Sequence, residues 1–310
     1  MLSIFEPPPI QTVNCAIASS QSIKVYVLRS DLIHPWVSGN KWFKLKYNLL
    51  EAKEQGYKTL LTFGGAYSNH IYSTAAAGNL FNFRTIGVIR GEETLPLNHT
   101  LSFAQQQGMQ LVYLNRQTYA QKHNLAIQTE LQERYGQAFI IPEGGCNLLG
   151  VRGCTEIINN FTEFDTVCLA CGTATTLTGI TLSLPNNKKV LGFPVLKGGE
   201  FLEKDIQNLL QNYLKSALPV PYKTFATWQL ISDYHFGGYA KVNPELFRFC
   251  QDFQRKHDIP LDYVYTGKMF YGIWNLLQKG WFKSGSQLLL IHTGGLQGNI
   301  SIEKRYKITP

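Results

Sequence analysis

A lysine ends a short polar run near the amino terminus, Ser38-Gly39-Asn40-Lys41. The apolar periodicity of residues 42–55, which stops at Gly56, predicts a helix with Lys41 in or beside its first turn. The positive end of the helix dipole disfavours a charged lysine, and a neutral amine is the nucleophile that Schiff-base chemistry requires. A solvated surface lysine is the alternative, and this run alone does not exclude it.

A second polar cluster, Gly64-Gly65-Ala66-Tyr67-Ser68-Asn69-His70, follows a predicted strand and opens an alanine-rich helical stretch. Backbone N–H groups at a helix start, together with Ser and Asn side chains, suit a carboxylate or another small anion. A tight turn with a capping side chain accounts for Ser or Asn alone. Two glycines and three polar residues at the end of a strand favour a binding site.

A third cluster, Gly172-Thr173-Ala174-Thr175-Thr176, also lies between an apolar strand and a helical segment. Small residues let the backbone approach a phosphate, and three hydroxyls add hydrogen-bond donors to the helix-terminal amides. The run lacks the patterns of an ATP-binding loop and of a dinucleotide-binding turn, which leaves a cradle for a single phosphate.

Two further loops, residues 261–268 and 292–295, carry glycines and hydroxyls where predicted strands end or helices begin. Ligands of open α/β sheets bind in the crevice outside the carboxyl ends of the strands. The five loops together therefore predict one crevice, although each of these last two is alone an ordinary loop.

The elements that position these loops alternate between strand-length apolar runs and helix-period segments, which predicts an α/β fold with parallel strands and crossover helices. We predict strands over residues 59–63, 85–89, 110–114, 138–141, 166–170, 189–193, 224–230 and 287–292. We predict helices over residues 42–55, 119–134 and 268–279, each ended by a glycine.

The chain is long for a single sheet, and residues 51–149 hold four strand–helix alternations, enough for a small α/β domain. We therefore predict a large domain of residues 1–50 and 150–310. No linker rich in Pro, Gly or Ser marks the junction, so the boundary rests on the glycine-rich run of residues 143–150.

Composition excludes several classes of protein. The 29 Lys and Arg residues give a net charge of +8 but are scattered, which argues against a nucleic-acid partner. Residues 1–10 lack a basic start and contain three prolines, unlike a signal peptide. Gly, Ser, Thr and Asn interrupt the two long uncharged stretches, so we expect no membrane span. Six cysteines without a secretory address fit free thiols in the cytoplasm.

Cys168 and Cys171 match C-x-x-C, but they lie in an apolar run of strand type with no second pair at zinc-binding spacing. We interpret them as core residues. The seven histidines form no pattern of catalytic metal ligands, so we expect no metal.

The ordered set of motifs resembles the fold-type II pyridoxal phosphate enzymes, specifically the group of D-cysteine desulfhydrase and 1-aminocyclopropane-1-carboxylate deaminase. The resemblance covers residues 24–300 and implies two open, twisted, mostly parallel sheets flanked by helices, as in the tryptophan synthase β subunit. The matching motifs are SGNK-x-x-KL at 38–45, GG-x-x-SNH at 64–70, PEGG-x-N at 142–147, the loop at 172–179, GGY at 237–239, VYTGK at 264–268 and HTGG at 292–295.

The resemblance implies pyridoxal 5'-phosphate as the cofactor and assigns roles position by position. Lys41 matches the lysine that holds the cofactor covalently and removes the α-proton. Ser68, Tyr239 and Tyr265 match catalytic residues. The implied cofactor-binding residues are Lys41, Lys44, Asn69, Gly172, Thr173, Ala174, Thr175, Thr176, Thr266 and Thr293. The implied substrate-binding residues are Tyr67, Ser68, Asn69 and His70.

Thr266 falls where the family places the partner of the pyridine nitrogen. A carboxylate there would keep that nitrogen protonated, whereas a neutral hydroxyl implies weaker electron withdrawal. The family's deaminases have an acid at this position and Gln where this chain has His70. The resemblance therefore implies β-elimination from a small amino acid of the D-cysteine type, which gives pyruvate, ammonia and sulfide.

Several residues depart from the family pattern, among them Phe43, Tyr67 and Tyr72. They alter the size and charge of the pocket more than the cofactor chemistry, so substrate identity stays open. The alternatives are a deaminase of the cyclopropane amino acid, a racemase or dehydratase, or a catalytically silent binding protein on the same fold. The resemblance also implies a homodimer.

Overall fold

The computed structural model describes residues 5–158 and 163–307, within which the chain forms ten strands and twelve α-helices. The strands are β1 (Ile10–Val13), β2 (Lys24–Leu28), β3 (Thr59–Gly64), β4 (Arg84–Arg90), β5 (Met109–Leu114), β6 (Phe139–Ile141), β7 (Thr166–Cys171), β8 (Lys189–Pro194), β9 (Thr227–Leu230) and β10 (Gln287–Ile291). The α-helices are α1 (Ala16–Ser20), α2 (Asn40–Glu54), α3 (Asn69–Phe81), α4 (His99–Gln106), α5 (Arg116–Ala120), α6 (Leu125–Tyr135), α7 (Leu148–Cys154), α8 (Thr175–Leu182), α9 (Phe201–Lys215), α10 (Pro244–His257), α11 (Thr266–Gln278) and α12 (Asn299–Tyr306).

Six strands form a sheet in the order β1-β2-β10-β7-β8-β9, in which β1 runs antiparallel to β2 and the other neighbours are parallel. In the central strand β10, Leu289 pairs with Tyr26 on one side and with Val167 on the other. Every residue of β7 is buried. Helices cover both faces of a parallel sheet, so its central strands are continuous apolar runs.

The other four strands form a wholly parallel sheet in the order β5-β4-β3-β6. Strand β3 is buried along its whole length. Phe63 and Val88 belong to one apolar cluster, whereas Ile71 of α3 packs with Ile89 in another. The predicted α/β class, with two mostly parallel sheets flanked by helices, is confirmed.

The largest apolar cluster contains residues from both sheets, including Leu60 of β3, Val167 of β7 and Leu289 of β10. The four-stranded sheet lies wholly within residues 51–149 and the six-stranded sheet wholly outside them. The division into domains at residues 50 and 149 stays a prediction.

The cysteines are free among the described residues. Cys168 belongs to the apolar cluster on one face of the large sheet and Cys171 to the cluster on the other. Side chains three residues apart on a strand point to opposite faces and cannot share a metal ion. The interpretation of this C-x-x-C as core packing is therefore confirmed. Within the described ranges, no cluster of three His, Cys, Asp or Glu side chains could hold a metal.

Several predicted boundaries were wrong. The helix expected over residues 119–134 is two helices, α5 and α6, because Asn124 caps the start of α6 through the Ala126 amide. The strand expected from residue 224 begins at Thr227, after an isolated bridge at Phe225. Strands β1 and β2 were not predicted.

Among the described residues, no helix combines the length and the apolar character that crossing a membrane would need.

Candidate active site

Lys41 is the second residue of α2, and backbone packing fixes the loop before it. Gly39 has φ +60°, and a Cβ there would lie 2.0 Å from the Thr293 carbonyl oxygen. Glycine is required at this position on both counts, because other residues rarely adopt this φ and a side chain has no room. Asn40 Nδ2 donates a 2.9 Å hydrogen bond to Thr176 Oγ1. The start of α2 is thus attached to two of the other predicted loops.

The Lys41 amine is poised for chemistry at neutral pH. The pKa of Lys41 is lowered to about 7, mainly by burial and additionally by the nearby Lys44 ammonium. The Lys41 Nζ contacts Asn40 Oδ1 at 3.4 Å. Near pH 7 a large fraction of the amine is neutral and nucleophilic, as the sequence predicted. Burial and a neighbouring cation produce this shift, whereas the sequence argument invoked the helix dipole.

Lys44 lies one helical turn further along α2 and is buried beside the third loop. Its Nζ donates a 3.0 Å hydrogen bond to Thr173 Oγ1, and burial lowers its pKa. Among the described residues, no carboxylate forms an ion pair with Lys41 or Lys44. Two lysines without anionic partners leave an excess of positive charge here.

The loop of residues 172–176 has the features of a phosphate cradle. Helix α8 begins after Ala174, whose side chain cannot cap its first amides. Thr175 Oγ1 is buried and has no hydrogen-bond partner in the described parts of the chain. A phosphate would accept bonds from such donors and would neutralise the charge of Lys44. The residues present therefore fit pyridoxal phosphate.

Ser68, Asn69 and His70 diverge in direction although they are adjacent. Ser68 caps α3, because its Oγ accepts hydrogen bonds from the His70 and Ile71 amides. Asn69 accepts a hydrogen bond from Gln297 Nε2. A Cβ on Gly295 would lie 2.6 Å from Asn69 Nδ2, so only glycine fits against this amide.

The His70 side chain points into the interior. It lines neither of the two cavities of the site, one lined by Lys41 and the other by Asp262. Its side chain is 2% exposed, and Nε2 lies 2.8 Å from Thr62 Oγ1, which itself donates to the Ile141 carbonyl. Burial, Lys41 and Lys44 hold the pKa of His70 well below its usual value. The ring is thus buried against Thr62, and its Nδ1 has no hydrogen-bond partner among the described residues. The substrate contact expected for His70 stays a prediction.

Tyr239 and Tyr265 form a pair on the opposite wall. Their rings meet edge to face with centroids 6.0 Å apart. A Cβ on Gly172 would lie 2.9 Å from Tyr265 Cε1, so this ring covers the phosphate loop. Burial raises the pKa of both hydroxyls, and the interaction with Tyr239 raises the pKa of Tyr265 further. Both phenols are therefore protonated at neutral pH.

Two adjoining cavities meet at Asn69 and Gly295, which line both. The smaller, of about 80 Å³, is lined by Lys41, Ser38, Tyr72 and Thr293 among others. The larger, of about 230 Å³, is lined by Tyr67, Tyr239, Tyr265 and Asp262, and by Ser301 and Arg305 from α12. Tyr67 is 55% exposed and lies at the mouth of the larger cavity.

Thr266 opens α11 and is completely buried. Its Oγ1 donates a 2.6 Å hydrogen bond to Asp262 Oδ2 and accepts one of 3.0 Å from the Asp262 amide. Asp262 also accepts hydrogen bonds from three amides, those of Val264, Tyr265 and Thr266. The hydroxyl expected beside the cofactor ring is therefore paired with a buried carboxylate.

The structure joins several of the predicted residues: Lys44 contacts Thr173, Tyr265 lies against Gly172 and Tyr239, and Lys41, Asn69 and Thr293 line one cavity. Their roles, and that of the buried Thr266, stay predictions. Ala174 contributes its backbone, because its side chain is buried in the core. Asp262, Gln297 and Arg305 had no role in the predictions from sequence. Only Asp262 carried a signal, an acid four residues before a threonine that opens a helix.

The chain matches the family described as "Pyridoxal-phosphate dependent enzyme" over residues 10–294. It therefore belongs to this family, and pyridoxal phosphate is its cofactor. A protein of Pyrococcus horikoshii provisionally named 1-aminocyclopropane-1-carboxylate deaminase is 31% identical over 284 residues, which cover 88% of this chain and 85% of the relative. The Arabidopsis thaliana mitochondrial protein named bifunctional D-cysteine desulfhydrase/1-aminocyclopropane-1-carboxylate deaminase is 28% identical over 94% of this chain and 77% of its own length.

Solved structures agree on the fold. The crystal structure of a homologue of 1-aminocyclopropane-1-carboxylate (ACC) deaminase superposes on this chain with a TM-score of 0.80 at 27% identity. The superposition covers 99% of this chain and 95% of that one. O-ureido-L-serine synthase, at 14% identity and a TM-score of 0.66, shows the shared fold alone. The resemblance to the desulfhydrase and deaminase group, inferred from the ordered motifs, is confirmed.

Proposed function

We propose that this enzyme removes ammonia from a small amino acid, with D-cysteine as the leading substrate. In that reaction D-cysteine and water give pyruvate, ammonia and hydrogen sulfide, with no net oxidation. The observation that carries the proposal is the buried Lys41 amine, whose lowered pKa leaves much of it neutral near pH 7. Its helix is hydrogen-bonded to the loop of residues 172–176 through Asn40 and Lys44, and Tyr265 lies against the same loop.

Cofactor binding is divided among several elements in this proposal. Lys41 would hold the aldehyde end, and Lys44 with residues 172–176 would hold the phosphate. Asn69, Thr266 and Thr293 would hold the ring. Pyridoxal phosphate, when bound, supplies an aldehyde for amines to condense with and a ring that withdraws electrons from the substrate α-carbon.

Proton transfers are assigned to groups whose charge states suit them. The released Lys41 amine takes the α-proton, because its lowered pKa leaves it neutral near pH 7. Tyr265, or Tyr239 beside it, donates a proton to the departing sulfur, since both phenols keep their protons. Ser68 Oγ accepts from two amides and keeps its own proton for donation.

The substrate carboxylate is assigned to the loop of residues 67–70, with fewer amides than the sequence indicated. The Ser68 amide donates to the Gly65 carbonyl, and the His70 amide donates to Ser68 Oγ. The Asn69 side chain, which lines both cavities, therefore provides most of the contact. The Ser68 hydroxyl is assigned the proton that it can still donate, and Tyr67 closes the entrance.

Deamination of 1-aminocyclopropane-1-carboxylate is the second candidate. The names of the matching relatives favour it, and so does the carboxylate of Asp262 behind Thr266. Ring opening of this substrate with water gives 2-oxobutanoate and ammonia, without sulfide. The two candidates therefore differ in their products.

A substrate panel separates the candidates. The purified enzyme with pyridoxal phosphate is incubated with D- and L-cysteine and the cyclopropane amino acid, and 2-oxo acid, ammonia and sulfide are measured. Pyruvate with equimolar sulfide from D-cysteine supports the leading proposal, and 2-oxobutanoate supports the second. Inertness to all three, with bound cofactor, would favour a silent binding protein.

Two lysine variants on the same helix control the panel. Lys41→Ala should abolish product formation and the visible absorbance band of the lysine-bound cofactor. Lys46→Gln, which loses an ion pair with Glu156 outside the cavities, should keep both. Turnover by Lys41→Ala at the wild-type rate would refute the proposal.

A further inference from the structure

Asp262 is a buried carboxylate on the wall of the active site. It is 1% exposed, it lines the larger cavity, and a Cβ on Gly295 would lie 3.6 Å from its Cγ. Among the described residues it has no ion-pair partner. Its charge is stabilised by three amides at the start of α11 and by the Thr266 hydroxyl, but no cation faces it in the described parts of the chain.

The hydrogen bonds of Thr266 fix the direction in which its hydroxyl can act. A hydroxyl has one proton and two lone pairs. The proton is donated to Asp262 Oδ2 at 2.6 Å, and one lone pair accepts from the Asp262 amide at 3.0 Å. What remains is one lone pair, so Thr266 can accept a further hydrogen bond but cannot donate one.

We propose that Asp262, acting through Thr266, keeps the ring nitrogen of bound pyridoxal phosphate protonated. This inference rests on the proposed function, because it takes Lys41 as the cofactor lysine and Thr266 as the neighbour of the ring nitrogen. A neutral pyridine nitrogen only accepts hydrogen bonds and would face an acceptor. A protonated nitrogen donates to Thr266 and places a positive charge near the unpaired carboxylate.

None of the other charged and titratable groups influenced by Asp262 forms an ion pair with it among the described residues. Its charge raises the pKa of Lys41, Lys268, Tyr239, Tyr265 and Cys250. The Lys268 Nζ is directed to the carbonyl oxygens of His235 and Gly238 at 2.9 and 2.7 Å. The Lys41 amine is reserved for the cofactor aldehyde. In this proposal the protonated pyridine ring is the cation that pairs with the Asp262 carboxylate, and Thr266 lies between them.

The hydrogen bond between Thr266 and Asp262 changes what the sequence implied about electron withdrawal by the cofactor ring. The sequence shows a neutral threonine, which implies weak electron withdrawal by the ring. The structure adds a carboxylate to that threonine, and the pair can do what an acid in direct contact would do. Asp262 is thus a positioning residue that sets the charge of the cofactor.

The test measures the charge of the nitrogen itself. Pyridoxal phosphate labelled with 15N in the ring is bound to the wild type and to Asp262→Asn, and the 15N chemical shift is followed from pH 6 to 9. We expect the shift of a protonated nitrogen throughout this range in the wild type. In Asp262→Asn the amide can donate to Thr266 Oγ1 and free its proton, so the shift should move toward that of a neutral nitrogen.

Two variants of Thr266 separate this role from capping of α11. Thr266→Ser keeps the hydroxyl and should retain the protonated signal, whereas Thr266→Val removes the acceptor and should lose it. A neutral ring nitrogen in the wild type, or an unchanged signal in Asp262→Asn that still binds the cofactor, would overturn the inference.

Failure of the inference and failure of the proposed function are distinguishable. If the wild type forms no lysine-bound cofactor, the proposed function fails. If it forms that species and makes 2-oxo acid while its ring nitrogen is neutral, only the role of Asp262 is refuted. If Asp262→Asn does not fold, the comparison of Thr266→Ser with Thr266→Val decides.

Discussion

At the scale of single residues, two buried lysines determine the chemistry proposed for the site through their proton affinity. Lys41 and Lys44 lie on one face of α2, and the charge of Lys44 disfavours a charge on Lys41. The same pair attracts a phosphate and keeps one amine reactive. Cofactor binding and nucleophile activation are therefore parts of one electrostatic arrangement.

The pKa of Lys41 predicts how cofactor attachment depends on pH. Only the neutral amine condenses with an aldehyde, so the rate at which the apoenzyme reacts with pyridoxal should rise with pH and level off above about 7. Absorbance of the lysine-bound product measures the rate. A rise that continues to the range of an ordinary lysine, near pH 10, would contradict the shift.

Lys44→Met provides the matched variant. Removing this cation should raise the pKa of Lys41, so the plateau moves to higher pH. Pyridoxal, which lacks the phosphate, is the suitable probe because Lys44 has no part in holding it. An unchanged profile would mean that burial alone causes the shift.

Gly39 predicts a backbone requirement at the site. Gly39→Ala adds a Cβ that would lie 2.0 Å from the Thr293 carbonyl oxygen, so the two loops must separate. We expect a loss of roughly 1–3 kcal/mol in the free energy of unfolding and weaker cofactor binding. Urea titration and cofactor titration measure the two effects.

Gly56→Ala is the control for backbone strain. Gly56 also has a positive φ, +79°, but nothing lies within 4 Å of its added Cβ. This variant should lose stability of about 1 kcal/mol and keep its cofactor affinity. Equal cofactor affinities in the two alanine variants would show that contact with Thr293 is unimportant.

At the scale of elements, helix α11 connects the ring end of the site with the loop that carries Tyr239. Its first residue, Thr266, bonds Asp262, and two residues later Lys268 bonds the carbonyl oxygens of His235 and Gly238. The position of Tyr239 therefore depends on α11. Lys268→Met should lower turnover by displacing Tyr239 while the cofactor stays attached to Lys41.

Lys268 also predicts a pH dependence of stability. Burial lowers its pKa from 10.5 to about 8, so between these values the unfolded chain binds a proton that the folded chain does not. The contribution of Lys268 to the free energy of unfolding then rises with pH between about 8 and 10.5. At about 1.4 kcal/mol per pH unit, the total rise is up to a few kcal/mol. Urea unfolding should show that the difference between wild type and Lys268→Met changes in this direction. A difference that does not vary with pH would contradict the shift.

The sequence predicted elements whose signal is local. Strands β7 and β10 were predicted because buried parallel strands are continuous apolar runs. Strand β2 carried a usable signal in Val25 and Val27, but β1 is a short edge strand with mixed burial. The pairing order of the strands depends on contacts between distant segments, which no local pattern contains.

The candidate site was predictable as a set of loops but not as a geometry. The glycine and hydroxyl runs pointed to Lys41, Ser68 and the loop of residues 172–176 as candidates. The interior direction of His70 and the contact between Asn69 and Gln297 depend on packing across the whole chain. The donor and acceptor pattern of Thr266 likewise required coordinates, because it is set by distances and angles rather than by residue type.

At the scale of the whole molecule, the site lies where loops from both sheets meet. Lys41 and the phosphate loop belong with the large sheet, whereas Asn69 follows β3 of the small one. A cofactor held as proposed would join these loops, and its phosphate would neutralise buried positive charge. We therefore expect it to stabilise the whole fold.

Removal of the cofactor should lower the melting temperature. Binding to the folded state alone adds about 2.7 kcal/mol when the free cofactor is at a hundred times its Kd. Calorimetry of the apoenzyme and the holoenzyme measures the difference, and Lys44→Met should reduce it. Identical melting temperatures for the two forms would contradict a cofactor that spans the two sheets.

We also propose a homodimer in the cytoplasm, and light scattering of the holoenzyme should give twice the 35.0 kDa mass of the chain.

The central claim, that the Lys41 amine carries the cofactor aldehyde, can be tested most directly by trapping the bond. The holoenzyme is reduced with borohydride and digested, and the peptide that bears the pyridoxyl phosphate group is identified by mass spectrometry. The account predicts modification at Lys41 and none in Lys41→Ala. Modification at Lys44 or Lys268, or no modified lysine in an enzyme that contains the cofactor, would contradict it.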